Sequence, residues 1–315
     1  MRDSLDSATL HHSIWPHRMA IFTTVATLPL IVFGGIVTSL RVGLVVPDWP
    51  TTFGHNMFLF PWSQMVGGVF YEHGHRLLGS TVGALTVGLS LTLWLKDDRR
   101  WLQWLGLVAL AAVIAQGILG GLRVVLLRHE LAIFHACLAH AFFALVASIC
   151  LYTSDEWRAR TASSRTIFAT YGRAHRIGLL AVILIFIQLI MGAVLRHTGH
   201  GLTPHILGAI ATFIVVFLLC DQATHHFPDH PPVKRSAKIL RNLVLLQLVL
   251  GVFTYLVKYV SPDGPTSPRA TLLATSHVVI GALMLVVSVR FTIWTRSMNI
   301  SKDSDAKSAS LAEQA

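Results

Sequence analysis

The chain reads as long apolar blocks separated by short polar segments. It lacks the alternating or 3.6-residue patterns of half-buried elements. Eight blocks fall at about residues 19–40, 71–95, 102–122, 131–152, 176–196, 203–220, 239–259 and 271–294. Most match the roughly 20 residues that a helix needs to cross the hydrocarbon core, the sixth being short. In lipid only helices or closed barrels satisfy the backbone, and the blocks lack the two-residue alternation of barrel strands. The pattern predicts an all-α integral membrane protein with eight transmembrane helices.

The polar segments then set the orientation. With the N-terminus inside, 18 of the 25 Lys and Arg residues fall in inner segments. Six fall in outer ones (Arg41, Arg123, Arg128, Arg196, Lys258 and Arg269), and Arg76 lies within the second block. Such a bias orients membrane proteins, and an odd number of spans would scramble it. Both termini are expected in the cytoplasm. The apolar run after Arg18 is expected to be a retained first span rather than a removed signal peptide. The outer segment 41–70 carries Pro47-Asp48-Trp49-Pro50 and Phe60-Pro61-Trp62, which suit an ordered cap at the interface. The Ser-, Ala- and Lys-rich segment 301–315 is expected to be a disordered tail.

Composition agrees with this picture. The chain is 53% hydrophobic and 13% charged, with a mean hydropathy of +0.62. A net charge of +10 would suggest nucleic acid in a soluble protein. Here the cations sit between apolar blocks, so lipid is the expected partner and nucleic acid is not. Cys137, Cys150 and Cys220 lie within or at the ends of blocks and suit packing rather than a disulfide or a Cys-x-x-Cys site.

A repeat runs through the blocks. Gln116…Gly120, Gln188…Gly192 and Gln247…Gly251 share one spacing on the third, fifth and seventh blocks, while the first has Gly34-Gly35 and no glutamine. Helix packing alone accounts for small and amide residues at such spacing. The even blocks carry His75, His135, His205 and His277 near their outer ends, followed by Gly79, Ala139, Gly208 and Gly281. The order predicts two four-helix halves, residues 1–155 and 156–300, as a parallel repeat with pseudo-twofold symmetry.

Any one membrane histidine is readily explained as a hydrogen-bonding core residue. Four at one depth, two per half on alternate helices, point to axial ligation of haem iron, His75 with His135 and His205 with His277. Leu77, Leu78, Phe134, Leu207 and Ile280 would pack the porphyrin faces. His140, one turn past His135, is a rival ligand. Zinc or copper ranks lower, because no compact cluster of histidines and carboxylates accompanies the pairs. Glu72 lies three before His75 on the same helix face, where a carboxylate could accept a proton or stabilise developing positive charge. Leu202 holds that position before His205, so the first half reads as catalytic and the second as a plain haem site. The bland alternative is that Glu72 only pairs with Arg76. Arg128, Arg196, His197 and His200 are candidates for haem propionates.

On these motifs the chain resembles the haem A synthase family. The resemblance rests on Gly34-Gly35-Ile36-Val37-Thr38, Pro47-Asp48-Trp49-Pro50, Glu72-x-x-His75-Arg76-Leu77-Leu78-Gly79 and the histidines of the other even blocks. It implies oxidation of the methyl at ring position 8 of haem O to a formyl group by successive hydroxylations. It implies substrate haem between His75 and His135 with Glu72 beside the reacting methyl, and a haem b cofactor on His205 and His277. It also implies partnership with haem O synthase and cytochrome oxidase assembly factors; a homo-oligomer is left open. One departure is plain: many bacterial members carry a cysteine pair in the outer loops of the first half, and this chain has none there. A dihaem electron carrier and a parallel-repeat transporter are the other classes considered.

Overall fold

The structure is a computed structural model and describes residues 13–163, 171–262 and 264–312. Its helices are α1 (Trp15–Ser39), α2 (Gly68–Lys96), α3 (Arg100–Leu126), α4 (His129–Thr153), α5 (Asp155–Ser163), α6 (Tyr171–Thr198), α7 (Leu202–His226), α8 (Pro231–Tyr255) and α9 (Pro268–Ala312). All but the short α5 are long and apolar enough to span a bilayer, giving eight spans among the described residues. The expected all-helical membrane fold is thus present. The helices overrun the apolar blocks: α7 reaches His226 and α8 starts at Pro231, with Gln222, Ala223, Val233 and Ser236 buried in the extensions. The polar segment from residue 301 begins inside α9, where no proline or glycine stops the helix; residues 313–315 lie outside those described. α5 fills part of the segment between the fourth and fifth spans, with Asp155 and Glu156 in its first turn, where negative charge suits a helix start.

Packing follows chain order. α1 packs on α2, α2 on α3, α3 on α4 and α4 back on α1, closing a four-helix bundle. α6, α7, α8 and α9 close a second in the same way. The bundles meet along α1, α4, α6 and α9. Between membrane helices lipid supplies no hydrophobic drive, so close approach at small residues does the work. Gly106 of α3 sits against Leu93 of α2, and Ser90 Oγ donates to the Gly106 carbonyl at 2.7 Å. Gly178 of α6 sits under Phe291 and Thr292 of α9.

The two ends of the molecule differ. At one end the segment between α1 and α2 folds over the first bundle, with short 3-10 turns at Met57–Leu59 and Trp62–Gln64. We call this the cap end. Asp48 organises it: its carboxylate accepts from the Thr51 hydroxyl and from the backbone N–H groups of Phe53 and Gly54. Trp49 lies flat against Gly121 of α3, where any side chain would collide with the indole. The expected ordered cap is therefore present.

At the opposite end Asp97 is buried between the guanidinium groups of Arg99 (2.7 Å) and Arg158 (3.3 Å). Arg99 also donates to the Tyr152 carbonyl at 2.8 Å, tying the α2–α3 turn to α4. Burial pushes the Asp97 carboxyl up, but hydrogen bonds from Arg99 and the charges of both arginines outweigh it and hold the group below the usual carboxylate range. A depressed carboxyl stabilises the fold fully above its unfolded pKa of about 3.9 and loses that contribution as pH falls through the folded value. Asp97→Asn should cost about 2 kcal/mol at neutral pH, read as a lowered unfolding temperature in detergent. The gap from wild type should narrow below about pH 4. A gap that stays constant down to pH 3 would remove Asp97 ionisation from the account.

Candidate functional site

The four histidines of the even spans all lie close to the cap end, in the first three turns of their helices. His75 of α2 faces His135 of α4 across the first bundle, with ring centres 6.3 Å apart and planes at 71°. His205 of α7 faces His277 of α9 across the second, again at 6.3 Å and 71°. A metal–imidazole nitrogen bond of about 2.0 Å, plus about 1.15 Å from nitrogen to ring centre, separates two imidazoles on one iron by about 6.3 Å. Both pairs have that spacing.

The odd helices explain the glycines. A side chain at Gly34, Gly120, Gly192 or Gly251 would press on the Cε1 edge of His75, His135, His205 or His277, within 3.0–3.4 Å. Each histidine therefore rests on a glycine of the preceding helix. Four residues before that glycine, the carbonyls of Leu30, Gln116 and Gln247 interact with the rings of His75, His135 and His277. The contacts fall short of full hydrogen bonds, and all four Nδ1 atoms are buried without a partner. The glutamine side chains serve the same helices: Gln116 and Gln188 donate to the backbone carbonyls of His135 and His205 at 3.0 and 2.8 Å. Gln247 Nε2 lies 3.3 Å from His277 Nε2.

These residues fit a haem. Two neutral imidazoles supply axial donors and nothing more, which suits a group that brings its own equatorial nitrogens. Among the described residues no cluster of three or more His, Cys, Asp or Glu could hold a discrete metal ion. Backbone carbonyls beside the rings are the kind of outer contact that orients ligating histidines. Of the neighbours expected to pack the ring faces, Phe134 and Leu207 are instead exposed on the bundle surface. His140 is buried with both ring nitrogens unpartnered and is not the residue of α4 that faces His75.

Glu72 is 4% exposed and fully engaged. One oxygen accepts from the Val46 backbone N–H at 2.9 Å, and the other from Arg76 at 3.0 Å. Arg76 in turn donates to the carbonyls of Val46, Asp48 and Thr51. The Glu-x-x-x-Arg pair thus clasps the cap to α2, next to the first histidine pair. His73, off this face, accepts or donates at Thr52 Oγ1 (3.0 Å) and packs on Phe60.

Several cations approach the pairs. Arg123 of α3 lies against Gly43 of the cap and interacts electrostatically with Glu72, His75 and His135, while its Nε is buried and unpartnered. Arg196 of α6 donates to the Gly35 carbonyl and Ser39 Oγ of α1, both at 2.6 Å, and interacts with His277. Gly35 itself touches Thr275 of α9, so Arg196 spans the junction of the bundles. Lys258, on the π-helical turn Leu256–Val260, interacts with Arg196 and Arg41. The pattern of the sequence marked Arg196 but treated Arg41, Arg123 and Lys258 only as outer charges. Their distance along the chain from any histidine gave no signal. Arg128 and His200 are exposed.

Comparison with known proteins bears on this arrangement. Residues 17–205 match the COX15-CtaA family, described as cytochrome oxidase assembly proteins. The chain belongs to this family. The match includes Glu72, His75, His135 and His205, and the resemblance to haem A synthases holds at family level. A heme A synthase of Brucella anthropi is 31% identical over 154 residues, covering 45% of this chain and 40% of that protein. The matched part is thus under half of each. As a member of this cytochrome oxidase assembly family with eight helices long and apolar enough to span a bilayer among the described residues, the chain is a multi-pass membrane protein.

Proposed function

We propose that the protein oxidises haem O to haem A for cytochrome oxidase assembly, converting the ring-8 methyl to a formyl group by successive hydroxylations, a four-electron oxidation whose electrons pass to an external acceptor. The observation that carries this reading is the matched pair of histidine sites, each at 6.3 Å with a glycine beneath each ring. In it, substrate haem lies between His75 and His135, and His205 and His277 hold a haem b that supplies one-electron chemistry when bound. The two halves are related by a pseudo-twofold axis, and the first is the catalytic one. Glu72 beside the first pair holds a proton or a compensating charge for the reacting carbon. Arg123 binds the propionates of the substrate, and Arg196 with Lys258 those of the cofactor, because these partly buried cations make no ion pair among the described residues and so suit an anion, Glu72 near Arg123 being taken up by Arg76. The protein lies in the bacterial inner membrane with both termini cytoplasmic, receives haem O from its synthase and delivers product to oxidase assembly factors.

Cells that make haem O and express this protein should yield haem A on extraction, with none from the host alone. Absence of haem A with two tightly bound haem b groups would overturn the reading. It would favour a dihaem b-type electron carrier, which the full engagement of Glu72 by Val46 and Arg76 supports.

A further inference from the structure

The ends of the two bundles away from the cap differ in charge. At the α2–α3 turn Asp97 neutralises Arg99 and Arg158. At the α7–α8 turn no acid pairs with the cations among the described residues. There a groove of about 580 Å³ is lined by Cys220 and Thr224 of α7 and by Lys234, Arg235, Lys238 and Arg241 of α8. All four cations are exposed, and among the described residues none pairs with a carboxylate. Lys234 reaches the Pro228 carbonyl and Arg241 the Asn242 side chain, both at 3.3 Å. Asp221, beside Cys220, is taken up by His225 at 3.3 Å, and Asp229 in the turn makes no ion pair.

Lys234, Lys238 and Arg241 recur at four- and three-residue spacing, so they share a helix face on which like charges repel. The face continues to Leu245, which is 43% exposed, one turn further into the bilayer. On α7, Phe217 lies three residues before Cys220, is 39% exposed and stacks on Phe213 at 4.4 Å. The groove itself is cationic, and exposed apolar side chains, Leu245 and Phe217, follow it along the same two helices toward the midplane. Phosphate alone would satisfy the groove; an amphiphile satisfies both parts.

We propose that the α7–α8 groove binds an anionic phospholipid, with the headgroup phosphate among Lys234, Lys238 and Arg241 and an acyl chain along Leu245 and Phe217. Basic pockets between membrane helices suit such headgroups. The assignment does not depend on the haem chemistry.

The test uses the full chain, purified in detergent and stripped of lipid. Phosphatidylglycerol added back should appear bound in native mass spectrometry and should raise the unfolding temperature. Phosphatidylcholine and inorganic phosphate should do neither. Combining Lys234→Gln, Lys238→Gln and Arg241→Gln should weaken phosphatidylglycerol binding by about tenfold or more. These side chains are exposed, so the fold should survive. The control pair Lys96→Gln and Arg100→Gln, at the other turn, should leave binding intact. Equal effects of phosphatidylcholine or of free phosphate, or undiminished binding by the triple variant, would overturn the assignment.

Discussion

His277→Ala should remove the b-type absorption of the purified protein's second site, with haem content there falling about tenfold or more. The substitution deletes one of two axial donors and leaves the His205 ring facing empty space at a distance set for two imidazoles. His205→Ala should act alike. His140→Ala tests the geometry from the other side, since that ring is buried while His135 is the α4 histidine in contact with His75. It should cost packing and leave both Soret contributions in place. An unchanged spectrum in His277→Ala would dissolve the second site. Loss of the spectrum in His140→Ala with retention in His135→Ala would transfer the ligand role on α4.

Glu72→Ala should lower haem A formation by about 10²–10⁴-fold while bound haem stays near wild type, as expected for a proton-handling group. The same change also frees Arg76 and the Val46 N–H, so a loosened cap could mimic a chemical defect. Glu72→Gln separates the two, because the amide oxygen can still accept from Val46 while the charge and the titratable proton are gone. We expect the glutamine variant to be as inactive as alanine, with a folded cap and normal haem content. Activity restored by glutamine would make Glu72 a clasp for the cap and nothing more.

Much of this site was legible along the chain. The histidines stand out because an ionisable residue within a span is costly to keep without a role. Their common depth follows from counting within each apolar block. The Gln-x-x-x-Gly repeat was visible too, and helix packing accounted for it. Its second use, a glycine under each histidine ring, needed the neighbouring helix in place. Leu30 shows the limit well. It stands where the other odd helices have glutamine, yet its carbonyl meets the His75 ring as the Gln116 carbonyl meets His135. A backbone group carries no sequence signature.

The sequence by itself determined the membrane, the eight helices, their alternating direction and the four histidines near one edge. Those follow from the hydrophobic length needed to cross lipid and from helical periodicity, both local properties. The partners were decided by tertiary structure. Which histidine of α4 faces α2 depends on helix rotation within the closed bundle, and it selects His135 over His140. That Glu72 joins the cap, and that Arg196 joins α6 to α1, arise from contacts 26 to 161 residues apart in sequence. Such contacts depend on how bundles close, and no periodicity within a single helix encodes them.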